Sequence, residues 1–210
     1  MRIRHVSPSD IERESFNIIW EELESRGRRY SPEVMPTILR VIHTTADFDY
    51  ADTLSFSDRV IERAQGAIRR GAHIVTDTNM TLAGINKKSY EKYGGRIHCF
   101  MADRDVEIRA RQRGVTRAAI SMEKAAELQI PLIFAIGNAP TALIRLIELM
   151  ENDVIHPELI IGVPVGFVNV IESKELLMEC DVPFIVNKGR KGGSTVAAAI
   201  VNSILYNMPY

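Results

Sequence analysis

Cysteine is scarce in this chain, with two residues in 210, Cys99 and Cys180. They form no C-x-x-C pair, which excludes the common zinc-knuckle and dithiol redox motifs and fits a reducing compartment. Long apolar runs are missing as well. No stretch approaches the roughly 20 residues of a membrane-spanning helix, and residues 1–10 are polar, without a signal-peptide core. An excess of charge is also missing: 26 Lys and Arg stand against 27 Asp and Glu, a net charge of -1. No bulk field therefore favours nucleic acid or a membrane surface. The dinucleotide fingerprint G-x-G-x-x-G, the phosphate loop of nucleotide hydrolases and the G-x-S-x-G elbow of hydrolases are all absent. These absences leave a cytoplasmic enzyme or binding protein. Any anion recognition must come from local clusters of Arg and Lys.

The composition itself, 46% hydrophobic and 25% charged, is that of a globular chain large enough for one sizeable core. The first part reads as successive helices. Ser7-Pro8-Ser9-Asp10 is a helix-start signal, followed by Phe16, Ile19, Trp20 and Leu23 at helical spacing, with Gly27 as the stop. Ser31-Pro32-Glu33 opens a second helix with Val34, Ile38, Val41 and Ile42 on its apolar face. Ser57-Asp58 opens a third, carrying Val60, Ile61, Ala64 and Ile68 up to Gly71.

Beyond that point short apolar runs alternate with helical stretches. The runs lie at 73–76, 96–101, 131–136, 159–163 and 183–187, and the helical stretches at 115–128, 139–151, 172–179 and 194–206. Strands alternating with helices predict a parallel sheet covered on both faces. The expected fold is α/β: a flavodoxin-like three-layer α/β/α arrangement with a five-stranded parallel sheet and an N-terminal helical segment. With no repeat, linker or composition break, residues 1–210 form one domain. In such folds ligands bind beyond the carboxyl ends of the strands.

Several segments fall on that rim. Gly137-Asn138-Ala139-Pro140-Thr141 follows a buried strand and opens a helix, with Asn138 in N-cap position. Its backbone N–H groups can take a carboxylate or phosphate, although an ordinary strand-to-helix turn explains the same residues. Lys188-Gly189-Arg190-Lys191-Gly192-Gly193-Ser194 sets three cations among three glycines, either as a ligand loop or as a solvated basic turn. Pro164-Val165-Gly166-Phe167-Val168 is either a flat apolar wall for a ligand or, more commonly for such a stretch, a loop packed on the sheet. His43 stands apart from the other histidines. It sits at the end of an amphipathic helix, one turn beyond Arg40 and ahead of an acidic loop carrying Asp47, Asp49 and Asp52. Those acids match no established metal cage, and no metal site is expected. Imidazole donates and accepts protons near neutrality, and a neighbouring cation suits an anionic substrate. His5, His73, His98 and His156 have no comparable setting and read as structural or exposed.

Taken together the segments resemble the precorrin-8X methylmutase family of cobalamin biosynthesis. The resemblance covers nearly the whole chain. It rests on Ser15-Phe16, Arg40-x-x-His43, Asp77-Thr78-x-Met80, Ile136-Gly137-Asn138-Ala139-Pro140-Thr141-Ala142, Gly162-x-Pro164-Val165-Gly166-Phe167-Val168 with Glu172-Ser173-Lys174, and Gly189-Arg190-x-Gly192-Gly193-Ser194. Six pieces in order, at strand-to-loop junctions, are a specific signal where each alone is not. The segment after His43, Thr44 to Asp49, looks more like the cobalt-using members. Thr76 stands where cysteine is often found, a difference expected to touch packing rather than chemistry.

The resemblance implies an isomerase that moves a methyl group of (cobalt-)precorrin-8 from ring position 11 to 12, giving cobyrinic or hydrogenobyrinic acid. It implies no cofactor, any cobalt belonging to the substrate, and a homodimer acting on a corrinoid small molecule. It assigns catalysis to His43 and substrate contacts to Ser15 and Arg40. Arg117, Arg190 and Lys191 join as further substrate-binding candidates by charge and rim placement. The alternative reading is a corrinoid- or tetrapyrrole-binding protein without turnover, which keeps the basic rim but does not need His43.

Overall fold

The computed structural model describes Ser7 and residues 10–209. Among them one sheet runs in the order β1-β6-β5-β4-β2-β3. Its strands are β1 (Leu54–Phe56), β2 (His73–Thr76), β3 (Ile97–His98), β4 (Leu132–Ile136), β5 (Leu159–Gly162) and β6 (Phe184–Asn187). All neighbours pair in parallel except β1, which lies antiparallel to β6 with Leu54 opposite Asn187. The parallel strands, numbered by themselves, follow the flavodoxin order 2-1-3-4-5. The expected layering holds, while the expected five-stranded parallel sheet is corrected to six strands with an antiparallel edge. The missed strand, Leu-Ser-Phe, is too short to show a periodic pattern. The run at 96–101 contracts to Ile97–His98 because β3 is an edge strand with β2 as its one partner, and the chain then turns through the Asp103 N–H to Phe100 carbonyl bond.

The helices are α1 (Ile11–Ser25), α2 (Met35–Thr45), α3 (Asp49–Thr53), α4 (Val60–Arg69), α5 (Asn79–Gly84), α6 (Lys87–Glu91), α7 (Arg104–Arg113), α8 (Arg117–Ala126), α9 (Pro140–Glu151), α10 (Val170–Glu179) and α11 (Ser194–Tyr206). Within the first start signal Pro8 and Ser9 lie outside the described residues. The Ser7 hydroxyl donates to the Asp10 carboxylate at 2.7 Å, just ahead of α1. In the second and third signals the marked residues form the turn before the helix, closed onto the Ser31 and Ser57 carbonyls.

Every residue of β4 and β5 is buried, as a parallel sheet covered on both faces requires. On one face Ile74, Ile133, Ile161 and Ile185 meet α4 and α11, over which α2 and α1 lay Ile38, Ile42 and Leu23. On the other, Val75, Phe134, Ile160 and Val186 meet α8, α9 and α10 through Met122, Leu143, Leu146 and Leu177. Each such side chain contributes about 1.5–3 kcal/mol by leaving water. α11 is apolar nearly all round because it is packed against both the sheet and α2; one polar bond, Thr37 to Ser203 at 3.2 Å, crosses the α2–α11 contact. Thr76 is fully buried and its hydroxyl donates to the Thr78 and His98 carbonyls, tying β2 to the edge strand.

Candidate active site

The carboxyl rim is built around one buried carboxylate. Asp77 follows β2, and its two oxygens accept the backbone N–H groups of Gly137 (2.9 Å), Asn138 (2.7 Å) and Ala139 (2.6 Å). These are the N–H groups that the sequence offers to an outside anion; the protein's own aspartate occupies them. The helix cap is also shifted by one residue: Ala139, not Asn138, stands at the N-cap of α9, with Pro140 at its start. Burial pushes the Asp77 carboxyl up, and the three N–H donors oppose that shift by favouring the ionised form. Thr78 caps α5 through the Thr81 N–H and exchanges a hydroxyl bond with Ser194 at 2.8 Å. Gly137 is obligatory here, since a Cβ would lie 2.7 Å from the Ser194 Cα and 2.8 Å from the Gly193 carbonyl oxygen. Three motifs distant in sequence thus lock into one floor at the point where the strand order reverses.

His43 stands on the last turn of α2, which closes at Ala46 in the left-handed region. Its ring is exposed and meets the ring of Phe16 edge-on, with centroids 5.3 Å apart at 77°. No hydrogen bond among the described residues engages either ring nitrogen, so both remain available to a ligand. Arg40, one turn earlier, has its guanidinium between two aromatic rings, 4.8 Å from the Phe16 centroid and 5.0 Å from that of Tyr206, and pairs with Glu12. Phe16 therefore touches both Arg40 and His43 and fixes their spacing. Ser15, whose hydroxyl donates to the Ile11 carbonyl, lines with His43, Ile18 and Phe48 a hollow of about 270 Å³.

The loop after β6 is held from three sides. Lys191 pairs with Asp47 and with Asp49, the latter at 2.7 Å, which joins this loop to the segment just beyond His43. That pairing pushes the Lys191 ammonium up, and the same ammonium draws the Asp47 carboxyl down. Asn187 is buried; its amide donates to the Lys191 carbonyl at 2.9 Å and accepts the Thr53 hydroxyl at 2.6 Å. From below, Lys174 of α10 donates to the carbonyls of Gly189 (2.8 Å) and Lys191 (2.9 Å). Its side chain is buried without a carboxylate partner, and desolvation pushes the ammonium down to about 8. Arg190 is exposed, with its guanidinium 5.6 Å from the ring of Phe167. In the segment expected as an apolar wall, Phe167 and Val168 stand well out of the protein, and Met80 of α5 is exposed as well.

Ser15, Arg40 and His43 thus come together on α1 and α2. Arg190 and Lys191 sit on the rim loop, bridged to the His43 segment by the Asp47 pair. Arg117 opens α8 on the far side of the reversal point, exposed, next to Thr116, whose hydroxyl donates to Thr141 of α9. The other histidines divide: His73 and His98 share a ring–ring hydrogen bond of 2.8 Å, His156 is exposed, and His5 lies outside the described residues. A larger hollow of about 660 Å³ opens at the opposite end of the sheet by Pro131, Leu132 and Glu158. Its lining sets Glu123, Glu127 and Glu158 beside Arg145 and His156, with the glutamates paired to arginines, and it lies away from the Asp77 rim. The sequence reading missed Lys174 as a part of the site. A lysine in a polar helical stretch reads as solvated, and nothing local signals that its acceptors arrive from a loop 15 residues on.

The description "Precorrin-8X methylmutase" belongs to a family model that matches residues 10–207. The chain belongs to this family. It is 46% identical over 199 residues to the cobalt-precorrin-8 methylmutase of Priestia megaterium, covering 95% of this chain and 88% of the relative. To the cobalt-precorrin-8 methylmutase of Salmonella typhimurium it is 44% identical, covering 96% of each. The fold matches the crystal structure of a precorrin-8X methyl mutase from Thermus thermophilus with a TM-score of 0.85 at 38% identity, over 94% of this chain and 96% of that one. A methylmutase transfers a methyl group within one molecule. The expected class, an isomerase of cobalamin biosynthesis, therefore holds for this chain.

Proposed function

We propose that this protein moves the methyl group of (cobalt-)precorrin-8 from ring position 11 to position 12, with His43 as the proton donor and acceptor. The observation that carries the assignment is the unpaired, exposed imidazole of His43 set beside Arg40 by the shared ring of Phe16. A methyl shift of this sigmatropic kind needs no nucleophile and no added methyl donor. Protonating the conjugated macrocycle draws electron density from the framework across which the methyl moves. One positioned general acid contributes about 10²–10⁴-fold. His43 gives its proton to the macrocycle and takes it back as the product forms, so the net reaction is an isomerisation.

The substrate's carboxylate arms pair with Arg40, Arg190, Lys191 and Arg117, Ser15 lines the approach to His43, and Phe167 and Val168 provide the apolar surface. Fixed orientation of the macrocycle against the imidazole adds to this acid catalysis. The protein works as a cytoplasmic homodimer in this reading; the exposed Ile11 and Ile18 on α1 support an apolar contact with a second copy. The names of the Priestia and Salmonella relatives favour the cobalt-containing substrate. The deciding experiment combines a visible-absorbance titration with cobyrinic and hydrogenobyrinic acids and a turnover assay of His43→Ala. The variant is expected to bind product like the parent and to lose turnover. Full turnover in His43→Ala would sink the assignment.

A further inference from the structure

The peptide planes of the loop after β6 carry information beyond the side chains of Arg190 and Lys191. No peptide bond among the described residues is cis. In a trans peptide the carbonyl of one residue and the N–H of the next point in opposite directions. The Gly189 and Lys191 carbonyls both turn inward onto the Lys174 ammonium, so the N–H groups of Arg190 and Gly192 turn away from it. Neither has an acceptor among the described residues. The Arg190 carbonyl faces the other way and accepts the Gly166 N–H at 3.3 Å, which pins the loop against the apolar wall segment. Gly192 permits the path, because a Cβ there would fall 2.1 Å from the Val163 carbonyl oxygen. A buried ammonium with no carboxylate partner costs desolvation energy. A lysine whose two acceptors are loop carbonyls is explained if the orientation of that loop matters.

We propose that Lys174 is a positioning residue that holds the Arg190 and Gly192 N–H groups outward as a two-donor seat for one carboxylate arm of the corrinoid. The inference rests on the corrinoid reading above. It adds backbone recognition to that by side-chain cations: the seat is neutral on its surface, backed by the ammonium beneath it, and flanked by the Arg190 guanidinium. Backbone N–H donors two residues apart, turned to the same side of a loop, are a known means of carboxylate capture. Lys174 itself does not touch substrate.

The test uses the intact, ¹⁵N-labelled protein and hydrogenobyrinic acid, with binding followed by visible absorbance in the same samples. The amide protons of Arg190 and Gly192 should shift downfield and saturate at the stoichiometry of pigment binding. Lys174→Met, shown to be folded by its near-ultraviolet circular dichroism, should bind product about tenfold or more weakly. Its KM should rise with kcat little changed, and Lys174→Arg should recover part of the loss. Saturable pigment binding with neither amide shifted overturns the proposal and leaves the corrinoid reading intact; so does a folded Lys174→Met of unchanged affinity and KM. Should no pigment bind the parent protein, the corrinoid reading itself fails and the seat fails with it. The amide shifts are read on the unsubstituted protein, so a variant that does not fold leaves the test in place.

Discussion

Asp47 and Lys191 join the segment just beyond His43 to the glycine-rich loop after β6. The imidazole and the basic rim loop, separated by nearly 150 residues of chain, are thereby coupled through one exposed ion pair with Asp49 as a second acceptor. Exposed pairs are screened by salt. Asp47→Asn should raise amide hydrogen exchange in residues 46–49 and 188–193 together, and added salt should do the same to the parent. The pair depends on an Asp47 carboxyl held below its ordinary value by Lys191. Its contribution is present above the ordinary aspartate range and is lost as the pH falls through the lowered value. The two segments should therefore loosen together in acid, below the ordinary aspartate range. Independent exchange of the two segments would refute the coupling.

Arg40 tests whether geometry or charge matters beside His43. Lysine keeps the charge but cannot fill the slot between the rings of Phe16 and Tyr206 with a planar cation. A cation–π contact of this kind contributes about 0.5–2 kcal/mol. Arg40→Lys should raise KM by roughly tenfold, and the Phe16 ring should become more mobile. Because Phe16 also meets His43, kcat should fall too. An unchanged kcat would mean that Phe16 holds the imidazole without help from Arg40.

The floor of the rim should be the most sensitive point for stability. Asp77→Asn leaves one acceptor oxygen for three donors and turns an amide NH₂ against backbone N–H groups. Hydrogen bonds to a charged group contribute about 1.5–3 kcal/mol each, so a loss on the order of 3 kcal/mol is expected, with Tm lower by roughly 6–12 °C. Asp77→Ala opens a slot the size of a small carboxylate, and formate should raise its Tm while leaving that of the parent unchanged. If formate has no effect on the alanine variant, the three N–H groups have turned elsewhere.

The sequence reading recovers what depends on local pattern. The run at 73–76 is β2 to the residue, because Ile and Val lie between polar punctuation. His43 stands out because it ends an amphipathic helix. What it misses depends on distance or on weak pattern. In α7, Val106 and Ala110 are the buried residues in a helix otherwise dominated by charge, so no stripe shows. α5 and α6 have six and five residues, too few for a period. Asp77 shows in the sequence only as part of the Asp77-Thr78-x-Met80 motif, and the N–H groups that donate to it begin 60 residues on. Lys174 is the sharpest case: its neighbours suggest solvent, and only the fold buries it.

Burial of Lys174 makes a pH prediction with a definite sign. Desolvation lowers its ammonium to about 8 from the ordinary 10.5. At neutral pH it is still charged, which keeps both carbonyl bonds strong and the loop in place. As the pH rises from 8 to 10.5 the folded protein gives up this proton while the unfolded chain retains it. Stability rises wherever the unfolded state binds more protons. The parent should therefore gain about 3 kcal/mol relative to Lys174→Met across that window, measured by urea denaturation at a series of pH values. Below pH 8 the difference between the two proteins should be flat. A difference that stays flat up to pH 10.5 would mean that desolvation does not lower this ammonium, because water reaches it or because the two carbonyl bonds offset the burial.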